Sequence, residues 1–155
     1  MKIKLRATHF GIWAGIFLLF SGIALSQPLR EAIVSKINGD VNVRIGEGDW
    51  EAARAGVVLH ERDEIRTAPG SSAEILLDKG ASTGKLELKE KSFLKFDTMK
   101  WDAQTGDKAT LLDLAIGKVL VHAEKLTGDS NFKVRTPTST TGVRGTVFEV
   151  AVEEK

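Results

Sequence analysis

The chain has 155 residues, of which 42% are hydrophobic and 28% are charged, so its composition is that of one ordinary globular domain rather than a disordered tail. Its formal net charge is +1, which becomes −2 once residues 1–26, with three basic and no acidic side chains, are set aside. A body so close to neutral lacks the basic surface that nucleic acids require, so no nucleic-acid partner is expected. The absence of cysteine excludes disulfide bonds, and the core alone must hold the fold.

The first 26 residues have the pattern of an export signal. Basic residues precede the apolar run at residues 10–25, and the small residues Ala24 and Ser26 stand at positions −3 and −1 of a cleavage point. Left uncleaved, the same run would form a membrane-anchor helix. In both cases the basic end stays in the cytoplasm and the body is exported. Residues 1–26 are therefore predicted to be a signal peptide or anchor, with residues 10–25 the only part in contact with the membrane.

The remainder predicts an all-β domain at residues 33–152, with eight to ten strands. Apolar and polar residues alternate there in short segments separated by turn formers. The Asn-Gly pair at residues 38–39 supplies positive φ angles, which predicts a hairpin between residues 33–37 and 41–45. Trp50 is expected to cover one end of the core rather than to stack on a ligand.

The same alternation continues to the end of the chain. Later strand-bearing segments are residues 56–80, 85–96, 110–125 and 132–150. Gly117 divides the third of these into two alternating halves. Residues 98–109 are predicted to form a polar hairpin loop in which Trp101 is the only large apolar residue. Helices are conceivable only at residues 51–56 or 110–116, and both segments are too short to outweigh the alternation.

Two segments share one plan. Residues 65–75 and 134–150 each run from an apolar residue through Arg-Thr, a proline turn and small hydroxyl residues into an apolar strand. Repeated units that bury little surface alone are typical of stacked β architectures. The predicted fold is therefore a solenoid-like stack of short antiparallel hairpins, following the N-terminal apolar helix.

The second of these segments contains glycines and hydroxyls around Arg144, which suggests an anion-binding loop. It lacks the Gly-Lys-Ser/Thr ending, and a strand follows instead of a helix. Pro137, Gly142 and Gly145 are better explained as a strand–turn–strand closure. In that interpretation the Arg144 side chain binds backbone carbonyls or a carboxylate across the sheet.

The sequence shows no cluster suited to catalysis. His9 lies in the export signal, His60 beside the acidic residues 61–64, and His122 in a predicted strand. Without cysteine or a histidine pair at metal spacing no zinc site is expected, and residues 61–64 are predicted to form a solvated turn. The serines lie in no Gly-x-Ser-x-Gly elbow. We therefore predict no enzyme, no catalytic, cofactor-binding or metal-binding residue, and no cofactor.

Two strands are candidates for an uncovered sheet edge, residues 85–91 and 146–152. An uncovered edge presents free amides and carbonyls that add a strand from a partner. These segments therefore predict an interaction function.

A Thr-Pro pair at residues 136–137 is followed by Arg144, Gly145, Thr146 and a strand with Phe148. Further positions belong to the same pattern: Gly39, Val41, Val43, Trp50, Gly56, Leu59, Asp63, Ile65, Thr67, Ser72, Ala73, Ile75, Leu77, Gly117 and Val119. With these residues the segment 33–150 resembles the FecR domain, and the Thr-Pro and Arg-Gly-Thr stretch is the most specific part of the resemblance.

The resemblance implies an extracytoplasmic, solenoid-like β domain that serves signalling or interaction rather than catalysis. The best-known members regulate iron uptake in bacterial envelopes and carry an additional cytoplasmic segment that binds a sigma factor and a receptor-facing module. Because nine residues precede the apolar run and the chain stops at Lys155, we expect a stand-alone exported domain here.

The resulting prediction is a periplasmic or secreted FecR-type sensor or scaffold that binds a protein or another envelope component. One alternative is a carbohydrate or cell-wall binding module, in which Trp50 and Trp101 would line a groove. Another is a hydrolase, which needs titrating residues such as His60 and His122 in one pocket. A third is an accessory regulator of metal uptake. The partner and the oligomeric state are left open.

Overall fold

The computed structural model describes residues 29–78, 80, 82–143 and 147–153. Within these residues the chain forms twelve strands and no α-helix, which confirms the all-β prediction. No helix in this part of the chain is long and apolar enough to cross a bilayer. The signal peptide or anchor predicted at residues 1–26 lies outside the described residues.

The strands are β1 (Ala32–Asn38), β2 (Val41–Arg44), β3 (Trp50–Ala52), β4 (Val58–Leu59), β5 (Glu64–Thr67), β6 (Ser72–Leu77), β7 (Gly84–Leu88), β8 (Phe93–Trp101), β9 (Lys108–Ala123), β10 (Asn131–Arg135), β11 (Thr140–Val143) and β12 (Val147–Val152). Both segments in which a helix was conceivable therefore contain a strand: residues 51–56 include the end of β3, and residues 110–116 belong to the first part of β9. The loop predicted at residues 98–109 is shorter, because β8 continues to Trp101 and β9 begins at Lys108.

All strands belong to one curled sheet with two halves. The order in half A is β4-β1-β6-β7-β9-β12, and the order in half B is β3-β2-β5-β8-β9-β10-β11. Strand β9 belongs to both halves, with residues 108–116 in half B and 117–123 in half A. Every pairing is antiparallel except that of β9 with β10, which is parallel.

At one end of the sheet the chain passes between the halves from β1 to β2, from β5 to β6, from β7 to β8 and through the middle of β9. We call this end the corner. Side-chain hydroxyls join neighbouring crossings: the Ser71 hydroxyl accepts from the Asp40 amide at 2.9 Å, and the Thr67 hydroxyl accepts from the Ser92 amide at 3.0 Å. The Ser92 hydroxyl in turn accepts from the Lys118 amide at 2.9 Å.

Gly117 lets β9 turn at the corner. Its φ is +91°, and a Cβ there would overlap Ser92 and lie 2.6 Å from the carbonyl oxygen of Lys91. Only a residue without a side chain combines this dihedral angle with so close an approach of two backbones. The division of this segment at Gly117, predicted from its alternation, is confirmed.

The hairpin predicted around residues 38–39 is wrong. Strand β1 pairs with β4 and β6, whereas β2 pairs with β3 and β5. Gly39 does adopt a positive φ of +77°, and it packs directly against Ser71. The Asn-Gly pair therefore makes a crossing between halves, because a turn residue fixes the local backbone and not the strand that its neighbours pair with.

The two segments that share one plan build different connections. Strands β5 and β6 do not pair with each other, so residues 65–75 cross from half B to half A. Strands β10 and β11 pair as a hairpin. The strands thus form one curled sheet rather than a solenoid-like stack of hairpins.

The core lies between the two halves. Alternate side chains of each strand point into it, as the period-two pattern requires. The largest fully buried side chains come from both halves and include Ile75, Leu77, Leu86 and Leu88 of half A and Ile65, Leu94, Phe96, Leu112 and Phe132 of half B. A single core therefore holds the halves face to face.

Candidate interaction surfaces

Arg30 joins the two halves at the end of the sheet opposite the corner. Its side chain is 4% exposed. Nε donates to Asp78 at 3.0 Å, just beyond β6 in half A. One terminal nitrogen donates to the carbonyls of Lys100 at 3.2 Å and Ala109 at 3.0 Å and to the Thr110 hydroxyl at 2.9 Å, all in half B. We call this group the Arg30 clamp.

Asp78 is the negative centre of the Arg30 clamp. Burial acts to raise the pKa of this carboxyl group, but hydrogen bonds from Arg30 and Thr83 and the positive charges of Arg30 and Lys108 outweigh it. The pKa of Asp78 therefore lies below its ordinary value of 3.8. Lys108 Nζ approaches the carboxylate to 3.2 Å. Asp78 is therefore a carboxylate at neutral pH.

Trp101 borders two open depressions beside the clamp. One has a volume of about 370 Å³ and is lined by Leu29 and Arg30 among others, and the second, of about 470 Å³, includes Gln104 and Asn131. Lys108 lines both. The half-buried indole thus lies among amide and charged side chains, which is the arrangement that a polar ligand with an apolar face requires.

Trp50 is engaged within the chain. The guanidinium carbons of Arg44 and Arg66 lie 5.0 and 4.2 Å from its ring centre, and Phe93 contacts it edge to face at 5.9 Å. These are favourable cation–π and aromatic contacts. Of the two tryptophans that a carbohydrate site would need, only Trp101 borders a depression described here.

The acidic turn at residues 61–64 is not solvated as predicted. Asp63 is 3% exposed, and its carboxylate accepts from the amides of Gly46 and His60, each at 2.7 Å. Glu64 is also buried and pairs with Arg44, whose Nε lies at 2.7 Å. The buried carboxylate of Asp63 thus satisfies two backbone amides, and that of Glu64 pairs with the partly exposed Arg44 of β2. In the described part of the chain no group of three or more histidines and acids could hold a metal ion.

The two histidines among the described residues, His60 and His122, are not brought together. The ring of His60 lies 3.9 Å from Asp63, and that of His122 lies 3.2 Å from Glu87 without the alignment of a hydrogen bond. His60 follows β4, and strands β1, β6 and β7 separate β4 from β9, which carries His122. The pocket that the hydrolase alternative needs is therefore not assembled from this pair.

The Thr-Pro segment forms the turn of the β10–β11 hairpin. The amide of Thr136 donates to the carbonyl of Ser139 at 2.8 Å, and the Thr136 hydroxyl accepts from the Ser139 amide at 3.1 Å. This confirms the predicted strand–turn–strand closure as far as residue 143. Arg144, Gly145 and Thr146 lie outside the described residues, so the contacts expected of the Arg144 side chain stay a prediction.

The two candidate edge strands differ. Strand β7, with residues 85–88, pairs with both β6 and β9, so the first candidate is interior and that prediction is wrong. Strand β12 pairs with β9, and no other strand of the described residues lies along its second side. Phe148, Val150 and Val152 point toward the core but are only half-buried. Strand β12 therefore presents an apolar row along an edge with free backbone groups.

A family model described as FecR protein matches residues 63–155, which is more than half of the sequence. The chain belongs to the FecR family. No curated protein and no solved structure has significant similarity to it. FecR domains are generally sensor domains of signal transduction, typically in membrane-associated proteins and on the periplasmic side. The match extends from Asp63 to the end of the chain and includes β12.

The outer face of half A in this FecR domain carries paired charges. Glu87 lies 3.1 Å from Lys85 and 3.0 Å from Lys89, and their hydrogen bonds lower the pKa of its carboxyl group to about 2. Lys118 of β9 pairs with Glu149 of β12 at 3.3 Å. Such a face is well hydrated. Among the described residues of half A, strand edges without a neighbour lie at β12 and at the two-residue β4, and β12 is the longer of the two.

Proposed function

We propose that this FecR domain is a non-enzymatic sensor or scaffold in the periplasm or outside the cell, and that it binds a protein component of the envelope through β12. The uncovered edge of β12 is the observation that supports this proposal. A strand added there gains main-chain hydrogen bonds, while the half-buried row of Phe148, Val150 and Val152 selects its side chains. Residues 1–26 would direct export, with contact to the membrane only through residues 10–25.

The use of charged groups in the described residues supports a binding role. Asp63, Glu64 and Asp78 each hold backbone amides or an arginine in place. A carboxylate committed in this way is a poor general base, since its lone pairs are already engaged. The near-neutral body likewise favours protein over nucleic acid as the partner.

A photo-activated amino acid in place of Ala151, in the full chain in its host, tests the proposal. Ala151 is exposed on β12, so we expect cross-links to an envelope component there and none from the same group in place of Thr105, in the loop after β8.

An edge-blocking variant supplies the control. Successive amides of a strand point to opposite neighbours. One of Glu149→Pro and Val150→Pro therefore removes an amide that faces away from β9, and it should keep the thermal midpoint while losing the cross-link. Cross-linking that persists in both proline variants would contradict the proposal.

Trp101 supports a second candidate, a carbohydrate or cell-wall binding module. An indole beside the amide groups of Gln104 and Asn131 offers a stacking surface and hydrogen-bond partners to a sugar. Sedimentation with purified peptidoglycan tests it, and Trp101→Ala should release the protein while Trp50→Ala, whose ring contacts its own arginines, should not. Equal binding of both variants, or none by the unaltered chain, removes this candidate.

A further inference from the structure

We propose that the strand that covers β12 belongs to a second copy of the same chain, so that two FecR domains pair antiparallel through β12 about a two-fold axis at Val150. The inference rests on the proposed use of β12 as a docking edge and specifies its occupant. It follows from the registers that the sequence of β12 permits.

A two-fold axis perpendicular to a sheet makes one residue of the edge strand face itself, and its neighbours then pair in mirror order. An axis at Glu149 would place two carboxylates directly opposite each other. An axis at Ala151 would oppose Glu149 to Glu153 twice. Like charges directly opposite each other destabilise a strand pair. An axis at Phe148 or Val152 avoids this clash but leaves fewer of the residues 147–153 paired.

The register centred on Val150 opposes no two carboxylates and leaves none of the residues 147–153 unpaired. Residues 147–153 then pair along their whole length. On the inner face Val150 meets Val150 of the second copy, and Phe148 meets Val152 in two symmetric pairs of an aromatic with a β-branched side chain, a favourable combination. On the outer face Glu149 meets Ala151, so each carboxylate keeps its own Lys118 at 3.3 Å.

This pairing also covers the open edge of β12. A strand of six residues with free backbone groups and an apolar row is a template for uncontrolled association, and natural sheets normally blunt or cover it. Within β12 neither a lysine nor a proline provides such protection. A closed two-fold pair covers the β12 edge of both copies at once, so that neither β12 is left open to a further chain.

Single cysteines test the register directly, because the natural chain contains none. Directly opposed residues of an antiparallel pair have Cα atoms about 4.5–5.5 Å apart, whereas the two copies of residue 151 would be about 8 Å apart, from two residue steps along the strand. Disulfides do not form beyond about 7 Å. In the full chain, exported to an oxidising compartment, Val150→Cys should form a disulfide-linked dimer. Neither Glu149→Cys nor Ala151→Cys should do so alone, but the two together in one cell should form a mixed dimer.

Charge at residue 151 gives a second test that does not depend on disulfide geometry. Within one chain Ala151 lies opposite Lys118, so Ala151→Glu should leave or slightly raise the thermal midpoint, and Ala151→Lys should slightly lower it. Across the two-fold axis residue 151 faces Glu149, so the effects on association are reversed. With two symmetric pairs, the dimer dissociation constant should rise about 2- to 30-fold for Ala151→Glu and fall by a similar factor for Ala151→Lys. Sedimentation equilibrium of the full chain in mild detergent measures both.

The outcomes separate this inference from the proposed function. If Val150→Cys forms no dimer and the unaltered chain is monomeric, while position 151 still cross-links to another envelope protein, the second copy is overturned and the docking edge stands. A dimer that ignores the charge at residue 151 pairs through another surface and also overturns the inference. If position 151 cross-links to nothing at all, both fail together.

Discussion

Replacing Arg30 with methionine should remove about 3 kcal/mol of stability. The substitution keeps most of the side-chain volume but leaves Asp78 without its main partner and withdraws donors from the carbonyls of Lys100 and Ala109. Removing one member of a buried ion pair costs about 3–5 kcal/mol. Because Lys108 remains 3.2 Å from the carboxylate, we expect the lower end of that range.

Thermal unfolding of the full chain in mild detergent, followed by circular dichroism, measures this loss. For a domain of this size a loss of about 3 kcal/mol lowers the midpoint by roughly 10 °C. The matched control is Arg135→Met. Arg135 contacts Asp113 at 2.7 Å and Asp97 at 3.2 Å, but its side chain is 41% exposed, so its loss should lower the midpoint far less than the loss of Arg30.

The difference in stability loss between Arg30→Met and Arg135→Met tests whether Arg30 holds the two halves together. Similar small losses in both variants would show that Arg30 behaves as a surface pair and does not hold the halves together. A second measurement guards against an effect of volume alone. In Arg30→Met the further change Asp78→Asn should recover part of the loss, since it removes the stranded negative charge and asparagine tolerates the φ of +62° at this position. A further loss of stability in the double variant would refute the reasoning.

Two more predictions concern the corner and the acid response. Gly117→Ala should cost at least about 3 kcal/mol, because a Cβ there overlaps Ser92 at a φ of +91°; Gly106→Ala, at a φ of +78° with open space around it, should cost only about 1–2 kcal/mol in the same thermal assay. The lowered pKa of Asp78 means that its ionised form is favoured by folding, so its contribution is complete well above pH 3.8 and is lost as the pH falls through the lower folded value. Asp78→Asn should therefore reduce the acid-induced loss of stability below about pH 4; an unchanged pH profile would contradict the assignment.

The sequence predicted local structure better than strand pairing. Alternation identified the β class and the division of β9 at Gly117, and the turn formers identified the turn at Thr136, because each depends on neighbouring residues. The hairpin predicted from the Asn-Gly pair at residues 38–39 and the sheet edge predicted at residues 85–91 were wrong. The same turn residues occur in the sequence whether the two strands that they connect pair as a hairpin or lie in different halves of the sheet. Whether a strand is interior or at an edge depends on residues far away in the sequence.

The Arg30 clamp and the buried acidic turn had no usable signal in the sequence. Arg30 stands close to the predicted export signal, where a basic residue is unremarked, and its partners lie 48 to 80 positions away. Asp63 and Glu64 look like a hydrated turn, since charged residues cluster there. They are buried because other segments of the chain supply the backbone amides and the arginine that bind them. The spacing of residues in the sequence does not show these contacts.

The length of β9 has a consequence for how the molecule acquires its structure. Residues 108–123 pair with two strands that precede them and two that follow, and they serve both halves. Neither half can be completed before residues 108–123 are available, so the strands that precede β9 lack this central partner until then. Pairings this distant in sequence also make folding slow. Both halves should therefore fold and unfold together as one cooperative unit. A proteolytic cut within β9 should accordingly unfold both halves together.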